Sequence, residues 1–249
     1  MPLILVTNDD GILAPGIASL VDVARQLGEV IVVAPDSPQS GKGHAITIDV
    51  PLRLNRVHAF GDIEAYECSG TPVDCVKLAM NIIKKDRVFD LCVSGINHGS
   101  NESINIIYSG TMSAAMEASL EGVHSAGFSL LDYSFDADFE PAKPYIKSIC
   151  EFMLKNNSRK SRLLNVNIPT GKIEGIRICR QGEARWVEEF REAKDPRGKD
   201  YYWLTGRFEI DDEGSDADVN ALRAGYISIV PSKHDLTDYT DIEDLKSLE

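Results

Sequence analysis

Leu3-Ile4-Leu5-Val6-Thr7-Asn8-Asp9-Asp10-Gly11-Ile12-Leu13-Ala14-Pro15-Gly16 decides the fold. The apolar run at residues 3–6 has the length and β-branching of a strand buried on both faces, and it stops abruptly at Asn8-Asp9-Asp10-Gly11. In an open α/β sheet, ligands bind in the crevice beyond the carboxyl ends of the strands, so two adjacent carboxylates there mark the first place to look for a site. A loop can turn both toward one cation, and a hard divalent ion relieves their mutual repulsion. The pattern therefore points to a Mg²⁺- or Mn²⁺-type site. Asp-Gly is also an ordinary turn signal, and a solvated turn is the competing account of this stretch taken alone.

The surrounding chain has 249 residues, enough for one large α/β domain or a domain with an appendage. With 43% hydrophobic and 26% charged residues it has the composition of a soluble globular protein. The formal net charge of −13 disfavours a nonspecific grip on a nucleic-acid duplex or an anionic membrane, so a phosphorylated substrate needs a local cation to hold it. Cys68, Cys75, Cys92, Cys150 and Cys179 are scattered and form no Cys-x-x-Cys pair, which is the pattern of reduced core thiols. The amino terminus has no basic n-region and no apolar run reaches membrane-spanning length, so a cytoplasmic location is expected.

Working outward, residues 14–28 are expected to form a helix ended by Gly28, and residues 29–34 a second buried strand. Asp36-Ser37-Pro38-Gln39-Ser40-Gly41-Lys42-Gly43 is a turn-rich loop off that strand, and residues 45–54 alternate like a half-exposed hairpin strand. Thr71-Pro72 opens a helix, with Asp74 completing a capping-box spacing. Residues 88–93 read as a buried strand leading into the polar loop Ser94-Gly95-Ile96-Asn97-His98-Gly99-Ser100-Asn101. Tyr108-Ser109-Gly110-Thr111 then enters a helix running to about Leu120; a strand over 124–131 and a helix over 141–155 follow. This order predicts a doubly wound, Rossmann-like, mainly parallel sheet over residues 1–170 as the catalytic core. Residues 171–249, rich in aromatics and charges, are expected to form a β-rich carboxyl-terminal appendage that completes the fold and carries an oligomerisation arm.

Three loops on one rim would offer Asp9 and Asp10, then Ser40, then Asn97, all hard oxygen donors that leave positions open for water and a substrate phosphate. In isolation Ser40 can simply cap its own turn and Asn97 can be an Asx-turn residue. Ser109, Gly110 and Thr111 at a helix amino terminus make a natural anion cradle, and the competing account is an ordinary Ser/Thr cap. Ser40-Gly41-Lys42-Gly43 offers a second anion-binding concavity. A cation beside such cradles suggests phosphoester hydrolysis, with a metal-activated water as nucleophile and Asp9 or Asp10 taking its proton. His98 is a candidate acid for the leaving group, although a lone loop histidine is more often just solvated.

With Asn8-Asp9-Asp10-Gly11, Ser37-Pro38-Gln39-Ser40-Gly41, the 94–101 loop and Tyr108-Ser109-Gly110-Thr111 in order, the chain closely resembles the survival protein SurE family. The resemblance continues more thinly through Gly70-Thr71-Pro72-Val73-Asp74-Cys75, Asn165-Val166-Asn167-Ile168-Pro169 and the 225–231 segment. It implies a metal-dependent nucleotidase acting on nucleoside 5′- and 3′-monophosphates, with exopolyphosphatase as a side activity in some members. It further implies one Mg²⁺ or Mn²⁺ per subunit on Asp9, Asp10, Ser40 and Asn97, and a phosphate pocket that includes Ser109, Gly110 and Thr111. A homodimer or homotetramer with an exchanged arm is also implied. The chain departs from the family pattern at Ser215-Asp216 and at Ser228-Ile229-Val230-Pro231, outside the four motifs. Three rival readings carry specific objections or tests. A receiver-like signalling domain lacks its aspartate after Val93, and an aspartyl-phosphate enzyme lacks its Asp-x-Asp spacing. A noncatalytic nucleotide-binding module would leave its ligand intact.

Overall fold

A computed structural model describes residues 1–84, 86–134, 136–156 and 162–249. The first strand, β1 (Leu3–Thr7), is wholly buried, with Leu3 and Leu5 packed into one core layer and Ile4 and Val6 into the other. A strand covered on both faces needs no polar residue along its length, which is why its pattern is a run rather than an alternation. Helix α1 (Pro15–Ala24) leads to β2 (Glu29–Pro35), then β3 (Leu54–Val57), β4 (Glu64–Cys68) and α2 (Pro72–Leu78). Next come β5 (Leu91–His98), α3 (Gly110–Leu120), β6 (His124–Leu130), α4 (Lys143–Lys155) and β7 (Leu163–Ile168). The remainder comprises β8 (Gly175–Ile178), β9 (Ala184–Val187), β10 (Phe190–Lys194), β11 (Asp200–Leu204), β12 (Arg207–Ile210), α5 (Asp218–Arg223), β13 (Tyr226–Ser232) and α6 (Asp241–Leu245).

Among the described residues nine strands form one sheet in the order β3-β4-β2-β1-β5-β6-β7-β13-β8. From β4 to β7 every neighbouring pair is parallel, while β3 and β13 run antiparallel to their neighbours β4 and β7. Chain order reverses direction across the sheet at β1, with β2 on one side and β5 on the other. That is the topological switch point at which α/β sheets bind ligands. Buried residues of α1 and α4 join one core layer and those of α2 and α3 the other, so the expected doubly wound α/β class is observed.

Several boundaries differ from expectation. Residues 45–53 form no strand; Ile46, Ile48 and Val50 are exposed, and Thr71 Oγ1 and the Asp74 carboxylate bind the Ala45 carbonyl and the Thr47 N–H instead. Alternation there has no surface to bury its apolar side, and pairing starts only after Pro51, at β3. The 94–101 loop is largely strand: β5 begins at Leu91 rather than at the exposed Val88, and continues to His98 past a register shift against β6 between Ser94 and Asn97. Helix α1 stops at Ala24, short of Gly28, and α4 begins at Lys143 after a 3₁₀ turn. At α2 the capping box is present as read: Thr71 accepts from the Asp74 N–H and Asp74 from the Thr71 N–H. All five cysteines are buried and free.

Residues after 170 contribute β8 and β13 to the main sheet, α5 packed against β13, and an antiparallel ribbon in which β9 pairs with β12 and β10 with β11. No described helix is long and apolar enough to cross a membrane.

Candidate functional site

Beyond the carboxyl ends of β1, β2 and β5 lies a cavity of about 680 Å³. Asp9, Ser40, Gly41, Asn97, His98 and Ser109 line it together, so the three loops expected on one rim do meet. Main-chain bonds lock them: the Gln39 N–H donates to the Asp9 carbonyl at 2.7 Å and the Gly43 N–H to the Tyr108 carbonyl at 3.2 Å. Asn8 closes the first turn by donating from Nδ2 to the Gly11 carbonyl at 2.9 Å.

Asp9 is 4% exposed. Thr111 donates to its Oδ1 through the hydroxyl, and the Thr111 main-chain N–H also bonds the Asp9 carboxylate. Gly110 lies so close that a Cβ there would sit 2.7 Å from Asp9 Cβ and 2.8 Å from Oδ2, so only glycine fits. The amino terminus of α3, expected to cradle a phosphate, thus holds the Asp9 carboxylate. Gly110 and Thr111, expected in the phosphate pocket, contact Asp9 and are not themselves part of the cavity lining. A buried carboxylate must find donors, and the free N–H groups and dipole of a helix start supply them. Ser109 both caps α3, accepting from the Met112 N–H at 3.0 Å, and faces the cavity. Burial, with the charge of Asp10 beside it, pushes Asp9 up to about 6 despite the bonds from Thr111. Burial also raises Asp10, and the nearby His98 partly offsets the effect. Asp10 is not among the lining residues. The ring of His98 stands edge-on to Phe139, with centroids 5.2 Å apart.

The donor set suits a hard divalent ion. Asp10 Oδ2 and Asn8 Oδ1, both pure acceptors, are buried without a partner among the described residues. Asn97 spends its Nδ2 on the carbonyls of Gly99 at 2.7 Å and His98 at 3.3 Å, which leaves Oδ1 as an acceptor. The described residues contain no cluster of three His, Cys, Asp or Glu side chains with metal-ligand geometry. Two carboxylates, an amide oxygen and a hydroxyl would therefore be the set, as is common for Mg²⁺ that retains water and binds phosphate.

Sequence reasoning missed the buried amide ladder that supports this rim. The Asn101 N–H donates to Asn167 Oδ1 at 2.6 Å and Asn101 Nδ2 to Ser129 Oγ at 2.7 Å, while Asn165 Nδ2 donates to the Asn101 carbonyl at 2.7 Å. Asn167 Nδ2 closes the network on Asn165 Oδ1 at 3.0 Å. The signal was the Asn165-Val166-Asn167 alternation, which puts two amides on one face of a fully buried strand. The cavity's far wall, including Tyr108, Tyr133 and Trp186, was also not anticipated.

A family model described as Survival protein SurE matches residues 4–188. The chain belongs to the SurE family. A relative from Flavobacterium psychrophilum, 5′-nucleotidase SurE, is 58% identical over 99% of this chain and 97% of its own length. The 5′-nucleotidase SurE of Bacteroides fragilis is 44% identical over 100% of this chain and 98% of its own. The crystal structure of the SurE protein from Aquifex aeolicus matches with a TM-score of 0.86 at 36% identity, covering 99% of each chain. The SurE match spans the loops that carry Asp9, Ser40, Asn97 and Ser109 as well as the far wall up to Trp186.

Proposed function

We propose that this chain is a divalent-cation-dependent nucleotidase that removes phosphate from nucleoside 5′- and 3′-monophosphates by direct attack of water. Relatives over nearly the whole chain are named 5′-nucleotidase SurE, which supports the reaction class. The observation that carries the assignment to particular residues is the convergence of Asp9, Ser40, Asn97 and Ser109 on one cavity at the switch point. A Mg²⁺ or Mn²⁺ ion held by Asp9, Asp10, Ser40 and Asn97 would supply Lewis acidity toward the phosphoryl oxygens and toward water.

The chain's own groups divide the remaining work. Ser109 Oγ, the Gly41 N–H and the Ser40 hydroxyl hold the phosphate, and Thr111 fixes the rotamer of Asp9. Asp9 or Asp10 accepts the proton of the attacking water, Asp9 being the one that lines the cavity. His98 gives a proton to the departing ribose oxygen. No lysine or arginine lines the cavity among the described residues, which favours a single phosphate over polyphosphate as substrate. The exposed ribbon, with Phe190, Tyr202, Trp203 and Leu204 all more than 60% exposed, fits an arm that docks on another copy in a homodimer or homotetramer.

The test is phosphate release from a panel of 5′- and 3′-nucleoside monophosphates, short polyphosphate and a nucleoside triphosphate, with Mg²⁺ or Mn²⁺ supplied. Release from monophosphates, with no phosphorylated protein trapped by acid quench, is the expected result. A trapped aspartyl-phosphate would replace water attack with a covalent mechanism, and intact monophosphates would leave only a binding role.

A further inference from the structure

Residues 40–46, between β2 and β3, form neither strand nor helix, yet Ser40 and Gly41 in this stretch line the cavity. The turn runs through two glycines in the left-handed region, Gly41 at φ +72° and Gly43 at φ +55°. Such a turn has little stiffness of its own, because glycine gives the chain freedom that other residues lack. Its shape has to be set from outside. Main-chain bonds from the Gln39 N–H to the Asp9 carbonyl and from the Gly43 N–H to the Tyr108 carbonyl pin it at either end. Among the described residues, the one side chain of the stretch that hydrogen-bonds to the rest of the fold is that of His44, whose Nε2 lies 2.9 Å from Glu117 Oε2. Glu117 belongs to α3 and is 4% exposed. Its other oxygen, Oε1, accepts from Lys77 Nζ of α2. An ionised carboxylate only accepts, so Nε2 of His44 carries the proton that the two groups share. Burial opposes the ionisation of Glu117, but the bonds from Lys77 and His44 outweigh it and hold the carboxyl below its ordinary value.

A buried acid on a core helix costs stability unless it is paired, and Lys77 alone supplies the opposite charge. A staple between α2 and α3 therefore needs no histidine. The bond to His44 adds a tie between α3 and the turn that carries Ser40. The same helix fixes the other side of the site at its first turn, where Ser109 faces the cavity and Thr111 holds Asp9. We propose that Glu117 and His44 are positioning residues for the cation site: Glu117, set on α3 by Lys77, holds His44 and so keeps Ser40 and Gly41 in register with Asp9 and Ser109. Neither residue lines the cavity. The assignment rests on the nucleotidase reading, in which Ser40 is a cation ligand, and adds to it what keeps that ligand in place.

The experiment takes chelator-stripped wild type, His44→Ala, His44→Gln, Glu117→Gln and the double variant His44→Ala/Glu117→Gln. Mn²⁺ affinity is read by calorimetry, KM and kcat on adenosine 5′-monophosphate, and the unfolding midpoint by circular dichroism. His44→Ala is expected to weaken Mn²⁺ binding about tenfold and to raise KM, with kcat at saturating Mn²⁺ and the unfolding midpoint little changed, since the His44 side chain is 35% exposed. His44→Gln, whose amide N–H₂ donates to Glu117 in place of the imidazole, should recover most of the affinity. In the Glu117→Gln background, His44→Ala should add little further loss, because the two residues act through one bond. If Glu117→Gln fails to fold, the two His44 variants decide alone. Wild-type Mn²⁺ affinity and KM in His44→Ala, or a loss that His44→Gln does not repair, would overturn the proposal and leave the nucleotidase reading intact. A wild-type chain that binds Mn²⁺ but releases no phosphate would overturn the nucleotidase reading, while the calorimetry still judges the positioning role.

Discussion

Asp9 is the residue on which the site turns. Its carboxylate is buried, raised to about 6 by burial and by Asp10, and held by the hydroxyl and N–H of Thr111. Replacing Asp9 or Asp10 by Asn should lower cation-dependent phosphate release by about 100-fold or more and leave the circular dichroism spectrum unchanged. Thr111→Val, which removes only the orienting hydroxyl, is expected to cost about 10- to 100-fold in apparent cation affinity, measured by titrating Mn²⁺ against activity. Glu102 makes a separate prediction about stability. It is 7% exposed, its Oε2 has no partner among the described residues, and burial, with the Asp218 charge adding, raises it to about 7. Between the ordinary carboxylate range and about pH 7 the folded chain binds the proton that the unfolded chain has lost, so Glu102 lowers stability as pH rises through that window. Below it the penalty vanishes. Glu102→Gln should therefore stabilise the chain by about 2 kcal/mol at pH 8 and by little at pH 4.5, as read from urea unfolding at the two pH values. At this scale the meeting of Asp9, Ser40 and Asn97 on one cavity was legible because each belongs to a polar stretch at the carboxyl-terminal end of a strand. The partnership of Asp9 with α3 was not, since nothing in the local pattern shows that a carboxylate more than a hundred residues away fills the helix start.

The elements carry two lessons about packing. The capping box at α2 was readable because Thr71, Pro72 and Asp74 act on one another within a single turn, and Thr71→Ala should cost about 1 kcal/mol in a thermal or urea melt. The 45–53 segment was misread because alternation is a request for a half-buried surface, and the rest of the chain supplies none there. The amide ladder beneath the 99–101 turn joins β6 and β7 to the rim through Asn101. Asn167→Ala leaves the buried Asn101 N–H without an acceptor, at a cost of about 1–3 kcal/mol. Because the same turn carries the backbone next to Asn97 and His98, kcat should fall further than global stability alone accounts for. Unfolding midpoints measured beside kcat separate the two effects.

For the whole molecule, the doubly wound class followed from the order of buried run, polar loop and helix, which repeats through β7. What that order could not show is that β13 and β8, from the last third of the chain, complete the same sheet, because strand pairing across such separations depends on the finished edge of β7. The aromatic-rich stretch was recognisable as a departure from the core pattern, while its cavity-facing residue Trp186 was not, since its partner Asn105 lies in a 3₁₀ turn far away in the chain. Excising β10 and β11 with a short Gly-Ser join is expected to reduce the assembly state seen by light scattering while β1 to β7 keep their spectroscopic signature. The central claim, a cation-dependent phosphohydrolase built on Asp9 and Asp10, is tested most directly with chelator-stripped protein. Mn²⁺ binding by calorimetry and phosphate release from adenosine 5′-monophosphate are measured on the same samples, wild type and Asp10→Asn. The account predicts that the stripped wild type is inactive, binds the ion and regains phosphate release, while Asp10→Asn does neither. Full activity in the stripped protein, or an Asp10→Asn variant that binds the ion and hydrolyses as the wild type does, would contradict it.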